Sequence, residues 1–288
     1  FRTYHRLTLP DGAARVLMDA PPPMENVQPF FQIAALLHTA GLSAPEIVAS
    51  DEAAGFVLLE DFGDSTFTRV LKAFPEREEF LYRLAVDALL LLHRTNFSEA
   101  ALATVPCYDN TLLLKELRLF PDWTPEHGIH DVEGWLQQWE EKLAFLQNGP
   151  WVLVLRDYHV DNLMELPDRQ GAAACGLLDF QDAVLGHPAY DLVSLLWDAR
   201  RNVSPALEQA MLQHYLGHSQ VQDKASFMKA YQTLGVQRTL KIIGIFHRLH
   251  QRDGKAQYLQ HLPRLYQLLE RIDAKDFMNP IQFDSAGS

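Results

Sequence analysis

Hydrophobic and polar positions change rhythm twice along this 288-residue chain. Residues 1–9 alternate roughly (Phe1, Tyr4, Arg6, Thr8). Pro10-Asp11-Gly12 then supplies turn chemistry and 13–18 resume the alternation, which predicts a β-hairpin. Pro21-Pro22-Pro23 must be a loop, because proline lacks a backbone donor and fixes φ. Residues 27–39 switch to helical spacing, with Phe30, Ile33, Ala34 and Leu37 on one face and Gly41 as the stop. Two short strands are read at 47–49 and 56–59, closed by the polar turn Glu60-Asp61-Phe62-Gly63.

Beyond that turn the helical period dominates. It predicts helices at 76–94 (Phe80, Leu84, Val86, Leu90 and Leu91 inward), 109–120, 131–147, 190–199, 205–216, 223–250 and 256–272, with a frayed tail over the last dozen residues. Two apolar strand-like runs, at 151–155 and 175–180, interrupt this series. No internal repeat or low-complexity segment is read. The expected architecture is α+β and two-lobed. Residues 1–62 form a small β-rich lobe, residues 63–288 a large, mostly helical one, and a polar hinge lies near 60–65. A cleft between such lobes is where a ligand binds.

The two interrupting strands carry the chemistry. The first runs into Arg156-Asp157-Tyr158-His159-Val160-Asp161-Asn162, the second delivers Asp179, and Asp191 follows in GHPAYDLVSLL. An Asp, an Asn five positions on, and a second Asp just after a β-like run match a phosphoryl-transfer site. Asp157 can orient and deprotonate an acceptor hydroxyl, while Asn162 and Asp179 hold Mg²⁺ against the phosphates of ATP. Any one of them alone reads as a capping or turn residue.

A charged fraction of 22% and an apolar fraction of 48% are those of an ordinary globular protein. The net charge of −12 argues against nucleic acid as a partner, which requires a concentrated basic surface. No apolar run approaches the roughly 20 residues of a membrane span, and no charged-then-apolar leader opens the chain. The cytoplasm is therefore the expected compartment, and the oligomeric state stays open. Cys107 and Cys175 read as buried free thiols. His214/His218 and His247/His250 have helical spacing but no adjacent Glu or Cys cluster, so no zinc is expected.

These motifs resemble the aminoglycoside phosphotransferase and choline kinase superfamily, a branch of the protein-kinase-like fold, over nearly the whole chain. The superfamily's H-x-D-x-x-x-x-N motif corresponds to Leu155-Arg156-Asp157 through Asn162. Its metal-binding Asp lies in Asp179-Phe180-Gln181-Asp182, and its D-P-x-x-D-L element matches His187-Pro188-Ala189-Tyr190-Asp191-Leu192. MDAPPP from Met18, LLEDFGD from Leu58, RDYHVDNLM from Arg156, LDFQDAVLGHPAYDLVSLL from Leu178 and QRTLKIIGIFHRL from Gln237 are similar to one subgroup. That subgroup comprises bacterial anomeric kinases acting on N-acetylmuramate and N-acetylglucosamine in cell-wall recycling.

The resemblance implies ATP and Mg²⁺ as cofactors and a small-molecule acceptor as substrate. It also implies main-chain contacts from Glu60 and Phe62 to the adenine edge, and structural support from Asp191. Arg156 reads equally as phosphate contact or structural support. Tyr158, His159, Gln181 and Asp182 flank the motif; each is readable as a contact to an N-acetyl sugar or as packing support. The chain departs from the pattern at Leu155, where the superfamily has His. It departs again at the strand ending Arg15-Val16-Leu17-Met18-Asp19, which lacks the phosphate-gripping lysine. Arg2, Arg6 and Arg15 are the candidate substitutes, and the phosphate-covering loop is expected around or before residues 1–4. Three alternatives stand beside the sugar kinase. An aminoglycoside kinase would use Glu126, Asp131, Glu133, Glu140 and Glu141, and a choline-type kinase would need an aromatic cage. The third is a pseudokinase that binds nucleotide only. Trp135, Trp139 and Phe145 read as core, with a sugar platform as the minority view.

Overall fold

Alternation over the first twenty residues is realised as an antiparallel hairpin, β1 (Thr3–Thr8) and β2 (Ala14–Asp19), with Thr3 opposite Asp19 and Thr8 opposite Ala14. The structure, a computed structural model, describes residues 2–271. After the hairpin come α1 (Gln28–Thr39), β3 (Ile47–Asp51), β4 (Phe56–Glu60), α2 (Phe67–Ala73), α3 (Glu78–Arg94), α4 (Glu99–Leu102), α5 (Asn110–Leu117), α6 (Leu119–Trp123) and α7 (Val132–Leu143). The chain continues through β5 (Val152–Val154), β6 (Leu163–Glu165), β7 (Cys175–Leu177), β8 (Val184–Gly186), α8 (Ala189–Leu196), α9 (Pro205–His218), α10 (Lys224–Asp253) and α11 (Leu262–Glu270). The sheets are a four-stranded one, ordered β1-β2-β4-β3, and the pairs β5-β8 and β6-β7. No helix among the described residues is long and apolar enough to cross a membrane.

Packing divides the chain into two units. One holds the residues up to Val105 with Leu155–Val184 and Gln209–Gln220; the other holds Pro106–Val154, Leu185–Glu208 and the chain from Val221 on. The lobes expected at 1–62 and 63–288 divide the chain by secondary-structure content, whereas these units are drawn on packing.

In the first unit the sheet buries Met18, Val57 and Leu59, and α1 buries Phe30, Ile33, Ala34, Leu36 and Leu37. Pro29 in its first turn suits the start of α1, where its missing N–H is no loss. The end is a Schellman cap: Leu42 donates to the Leu37 carbonyl (2.9 Å) and Gly41 to His38 (3.0 Å). Gly41 makes this possible at φ +75°. α3 buries Leu81, Ala85, Ala88 and Leu92 as one stripe with Tyr82, Val86, Leu89 and Leu90 beside it. Phe80, expected inward, lies outside that stripe; it is 55% exposed, with Arg77 over its ring at 5.2 Å.

In the second unit α10 packs against α5, α6, α8 and α11. Three helices of this unit, α5, α7 and α10, are capped by aspartates whose carboxylates accept backbone N–H groups: Asp109 from Leu112, Asp131 from Gly134 and Asp223 from Ser226. Trp135 and Trp139 are core, edge to face at 6.1 Å. The helix expected at 109–120 breaks at Arg118 into α5 and α6, and the one at 131–147 ends at Leu143 in a 3₁₀ turn. The helix expected at 256–272 is a 3₁₀ turn followed by α11; residue 272 and the expected frayed tail lie outside the described residues. β6 and β8 escaped sequence reading because three residues carry no period, and α2 because seven residues are barely two turns.

Two glycines let α10 approach its neighbours. A Cβ on Gly235 would stand 2.7 Å from the Trp197 ring, and one on Gly244 would fall inside the van der Waals shell of the Leu119 backbone. Alanine gains about 1 kcal/mol over glycine in a helix interior, but overpacking against backbone that cannot move aside costs about 1–3 kcal/mol or more. Gly244→Ala is accordingly expected to lower stability by about 1–2 kcal/mol, measured by denaturant unfolding, despite its better helix propensity.

Candidate active site

The β6-β7 ladder builds the centre of the site. Leu163 pairs with Leu177, and the register continues one step further, with Leu178 donating to the Asn162 carbonyl at 3.0 Å. Asn162 and Asp179 lie seventeen positions apart in sequence. Because they sit at the same end of one antiparallel pair, they become neighbours lining one pocket. Asp179 adopts φ +56° and Arg156 φ +70°, the two non-glycine residues with positive φ among those described. Such backbone costs about 1–3 kcal/mol each and persists only where its surroundings hold it. Here Arg156 Nη1 donates to the Asp182 carbonyl (3.2 Å), and Phe180 stacks on Phe30 of α1 at 4.9 Å. Both strained residues border the chemistry that the sequence pointed to.

The pocket has a volume of about 570 Å³ and opens between the four-stranded sheet and the β6-β7 hairpin. Of the expected site residues, Glu60, Phe62, Asn162 and Asp179 line it. The Glu60 carboxylate is paired with Arg169, whose guanidinium also covers the Phe62 ring at 5.0 Å. Arg169 carries no sequence signal, since it belongs to the β6-β7 turn.

Arg6 of β1 clamps the loop that follows β4. It holds Asp61 through two nitrogens (2.6 and 3.0 Å), Asp64 at 2.9 Å and the Gly63 carbonyl at 2.9 Å. Asp64 first, then Asp61, push the Arg6 pKa upward, and Arg6 holds the Asp64 carboxyl below its ordinary range. Arg69 joins at Asp64 (3.0 Å).

The remaining candidates do not line this pocket. Asp157 is exposed on the turn after β5; its carbonyl accepts from Asn162 Nδ2 at 3.0 Å and its N–H donates to Leu155. Leu155, where the superfamily has His, is buried. Tyr158 is buried and its hydroxyl donates to the Ala85 carbonyl at 2.8 Å, so the packing reading describes its side chain. His159 is buried with Nε2 3.5 Å from Asn162 Nδ2. Gln181 Nε2 donates to Asp179 Oδ1 at 2.8 Å, bracing that carboxylate, while Asp182 is exposed. Asn162 and Asp179 offer hard oxygen donors to one pocket, a set that fits Mg²⁺.

In the second unit Asp191 is fully buried in the first turn of α8. Beside it in sequence, Tyr190 belongs to a buried network: the Tyr108 hydroxyl donates to Glu116 and lies 2.9 Å from the Tyr190 hydroxyl, from which it can accept, and Lys241 pairs with Glu116 at 2.7 Å. Sequence reading missed Glu116, since one acid on an amphipathic helix looks like any surface charge. The acidic residues that would favour a polycationic acceptor are exposed. Asp131 is spent as a cap and Glu133 on Arg118 (2.6 Å). Of the histidine pairs, His214 is held by Arg83 (3.0 Å) and Asp87 (2.6 Å), and His247 lies 3.8 Å from Glu126. Both cysteines are free. Cys175 is buried, and burial pushes its thiol up to about 12, whereas Cys107, expected to be buried, is exposed.

A small antiparallel sheet and α1, a polar loop leaving the sheet, and an Asn/Asp pair at the end of a short hairpin define a protein-kinase-like phosphotransferase fold. The chain belongs to the phosphotransferase enzyme family (APH), whose profile it matches over residues 1–228. A protein of Caulobacter vibrioides named N-acetylmuramate/N-acetylglucosamine kinase is 41% identical over 258 residues, covering 85% of this chain and 70% of that relative. One of the same name from Pseudomonas aeruginosa is 37% identical over 287 residues, 96% of this chain and 81% of the relative. Among solved structures, choline kinase LicA from Streptococcus pneumoniae superposes with a TM-score of 0.61 at 14% identity, over 93% of this chain and 90% of that one, a likeness of fold alone.

His187, at the start of the HPAYDL block, gives this region a pH signature. Burial holds its pKa down at about 4 against an ordinary 6.5, and its Nδ1 accepts the Ala189 N–H at 3.2 Å, as a neutral ring must. The unfolded chain gains a proton here near pH 6.5 and the folded chain only near pH 4. The contribution to stability is therefore complete above about 6.5, falls between 6.5 and 4, and is level below that. At about 1.4 kcal/mol per pH unit, the wild type is expected to lose about 2 kcal/mol more than His187→Asn between pH 6.5 and 5. Denaturant unfolding of both proteins at the two pH values measures this difference.

Proposed function

We propose that this chain is an ATP- and Mg²⁺-dependent kinase that phosphorylates the anomeric hydroxyl of an N-acetylated amino sugar, N-acetylmuramate or N-acetylglucosamine. The observation that carries the reading is the convergence of Asn162, Asp179 and the Glu60–Asp64 loop on one pocket. The names of the relatives at 41% and 37% identity support the acceptor. In this reading residues 1–62 are the nucleotide lobe and 63–288 carry the catalytic loop and acceptor site. The main chain at Glu60 and Phe62 meets the adenine edge, its side chains being held aside by Arg169.

Asp157 takes the proton of the acceptor hydroxyl and aims its oxygen at the phosphorus, a task its exposed position on the turn permits. An anomeric hydroxyl is more acidic than an ordinary alcohol, so the demand on the base is mild. Asn162 Oδ1 and the Asp179 carboxylate hold Mg²⁺, which when bound offsets charge on the phosphoryl oxygens. Gln181 fixes the Asp179 rotamer, and Asn162 Nδ2 is anchored to the Asp157 carbonyl, so the base and the two ligands move as one piece. His159, Gln181 and Asp182 border the acceptor. Tyr158 acts by packing, and Arg156 and Asp191 are structural support. The partners are ATP and a small-molecule acceptor, with no nucleic acid or membrane, and the compartment is the cytoplasm.

The test is ATP consumption with Mg²⁺ in the presence of N-acetylmuramate, N-acetylglucosamine, kanamycin or choline. The N-acetyl sugars are expected to turn over, with Asp157→Asn at least about 100-fold slower. Turnover of kanamycin or choline alone would overturn the acceptor assignment, and an unimpaired Asp157→Asn would overturn the base.

A further inference from the structure

The strand that carries a phosphate-gripping lysine in many relatives is β2, and here it ends at Met18-Asp19 without one. A phosphate-bearing ligand nonetheless needs a cation, since Asp179, Asp61 and Asp64 already line the pocket with negative charge. No lysine lines that pocket among the described residues. The two arginines that do line it, Arg6 and Arg69, are committed to Asp61 and Asp64. Their geometry is that of a loop clamp, with three acceptors on Arg6 alone.

Register brings another cation to the end of β2, next to the pocket and outside its lining. Thr3 pairs with Asp19 and Tyr4 with Met18, so Arg2 flanks the end of β2 from the neighbouring strand. Its guanidinium pairs with Glu25, in the segment leading into α1, at 3.1 Å, and the two side chains are 13% and 23% exposed. The pairing leaves Arg2 Nε buried and without a hydrogen-bond partner among the described residues, a donor still unspent. Tyr4 lies between this cation and Asp179. It stands two residues on from Arg2, on the same face of the extended chain, and lines the pocket with Asp179 and Asn162.

We propose that Arg2, braced by Glu25, supplies the phosphate-contacting cation of this site in place of a lysine on β2. This rests on the nucleotide reading of the pocket and adds to it the residue that senses the phosphates. A guanidinium suits the task, because it stays charged at any working pH and can keep Glu25 on one edge while offering its other donors to phosphate. The ion pair would thus fix Arg2 in position before a ligand arrives.

Calorimetric titration of the full chain with ADP and with adenosine, both without added metal, tests this independently of turnover. Arg2→Ala is expected to weaken ADP about tenfold or more while adenosine stays within about twofold. Arg2→Lys should keep most of the ADP affinity, and thermal unfolding of each variant checks that it is folded. Arg6→Ala should weaken both ligands alike, because it releases the loop rather than a phosphate. Unchanged ADP binding in Arg2→Ala, equal loss of ADP and adenosine, or an ADP-selective loss in Arg6→Ala would overturn the assignment and leave the nucleotide reading standing. A wild-type protein that binds neither ligand would overturn both.

Discussion

Everything at this site depends on the short antiparallel ladder between β6 and β7. Three paired residues on each side extend by one further hydrogen bond, from Leu178 to Asn162. An amide from one turn and a carboxylate from another thereby become a single oxygen-donor set. Side chains at the end of such a ladder cannot drift apart without breaking backbone hydrogen bonds that have no water to replace them. Asp179, just past the end of the ladder, adopts positive φ, and its carboxylate accepts from Gln181. The Phe180 ring, stacked on Phe30, anchors the strained turn to α1.

Electrostatics is organised around the same hairpin. The pocket is acidic at Asp179 and along the loop after β4, and the arginines that reach it are each tied to a carboxylate. Most of these pairs are exposed, so their value lies less in stability, where surface pairs count for little, than in geometry. Arg6 holds three groups of one loop at once, and Arg169 binds Glu60 while covering Phe62. The carboxylates of Glu60, Asp61 and Asp64 are thereby each held by an arginine.

The second unit is built on the opposite principle. Gly244 lets α10 lie almost in backbone contact with α6 and Gly235 makes room for the Trp197 ring, and a buried network of Tyr108, Tyr190, Glu116 and Lys241 fills the polar demand of the interior. Burying that ion pair is costly unless every partner is present, and here two phenols complete it. Asp191, one residue from Tyr190, shares this dry surrounding.

Sequence alone determined the class of fold, because alternation and helical period are set by which faces must be buried. The hairpin at β1-β2, α1 with its Gly41 stop, and the long stretch of α10 were all legible in this way. It also singled out Asp157, Asn162 and Asp179 as candidates, since a fixed order of oxygen donors around two strands is itself a chemical pattern. Tertiary structure alone decided which of these line one pocket and which lie beside it. It turned the Tyr158 hydroxyl to the Ala85 carbonyl and exposed Phe80. It also committed Arg6 and Arg169 to the loop after β4 and brought Arg2 to Glu25. The reason is physical: periodicity records which side of an element is buried, whereas an ion pair or a rotamer depends on which distant residue the fold places opposite.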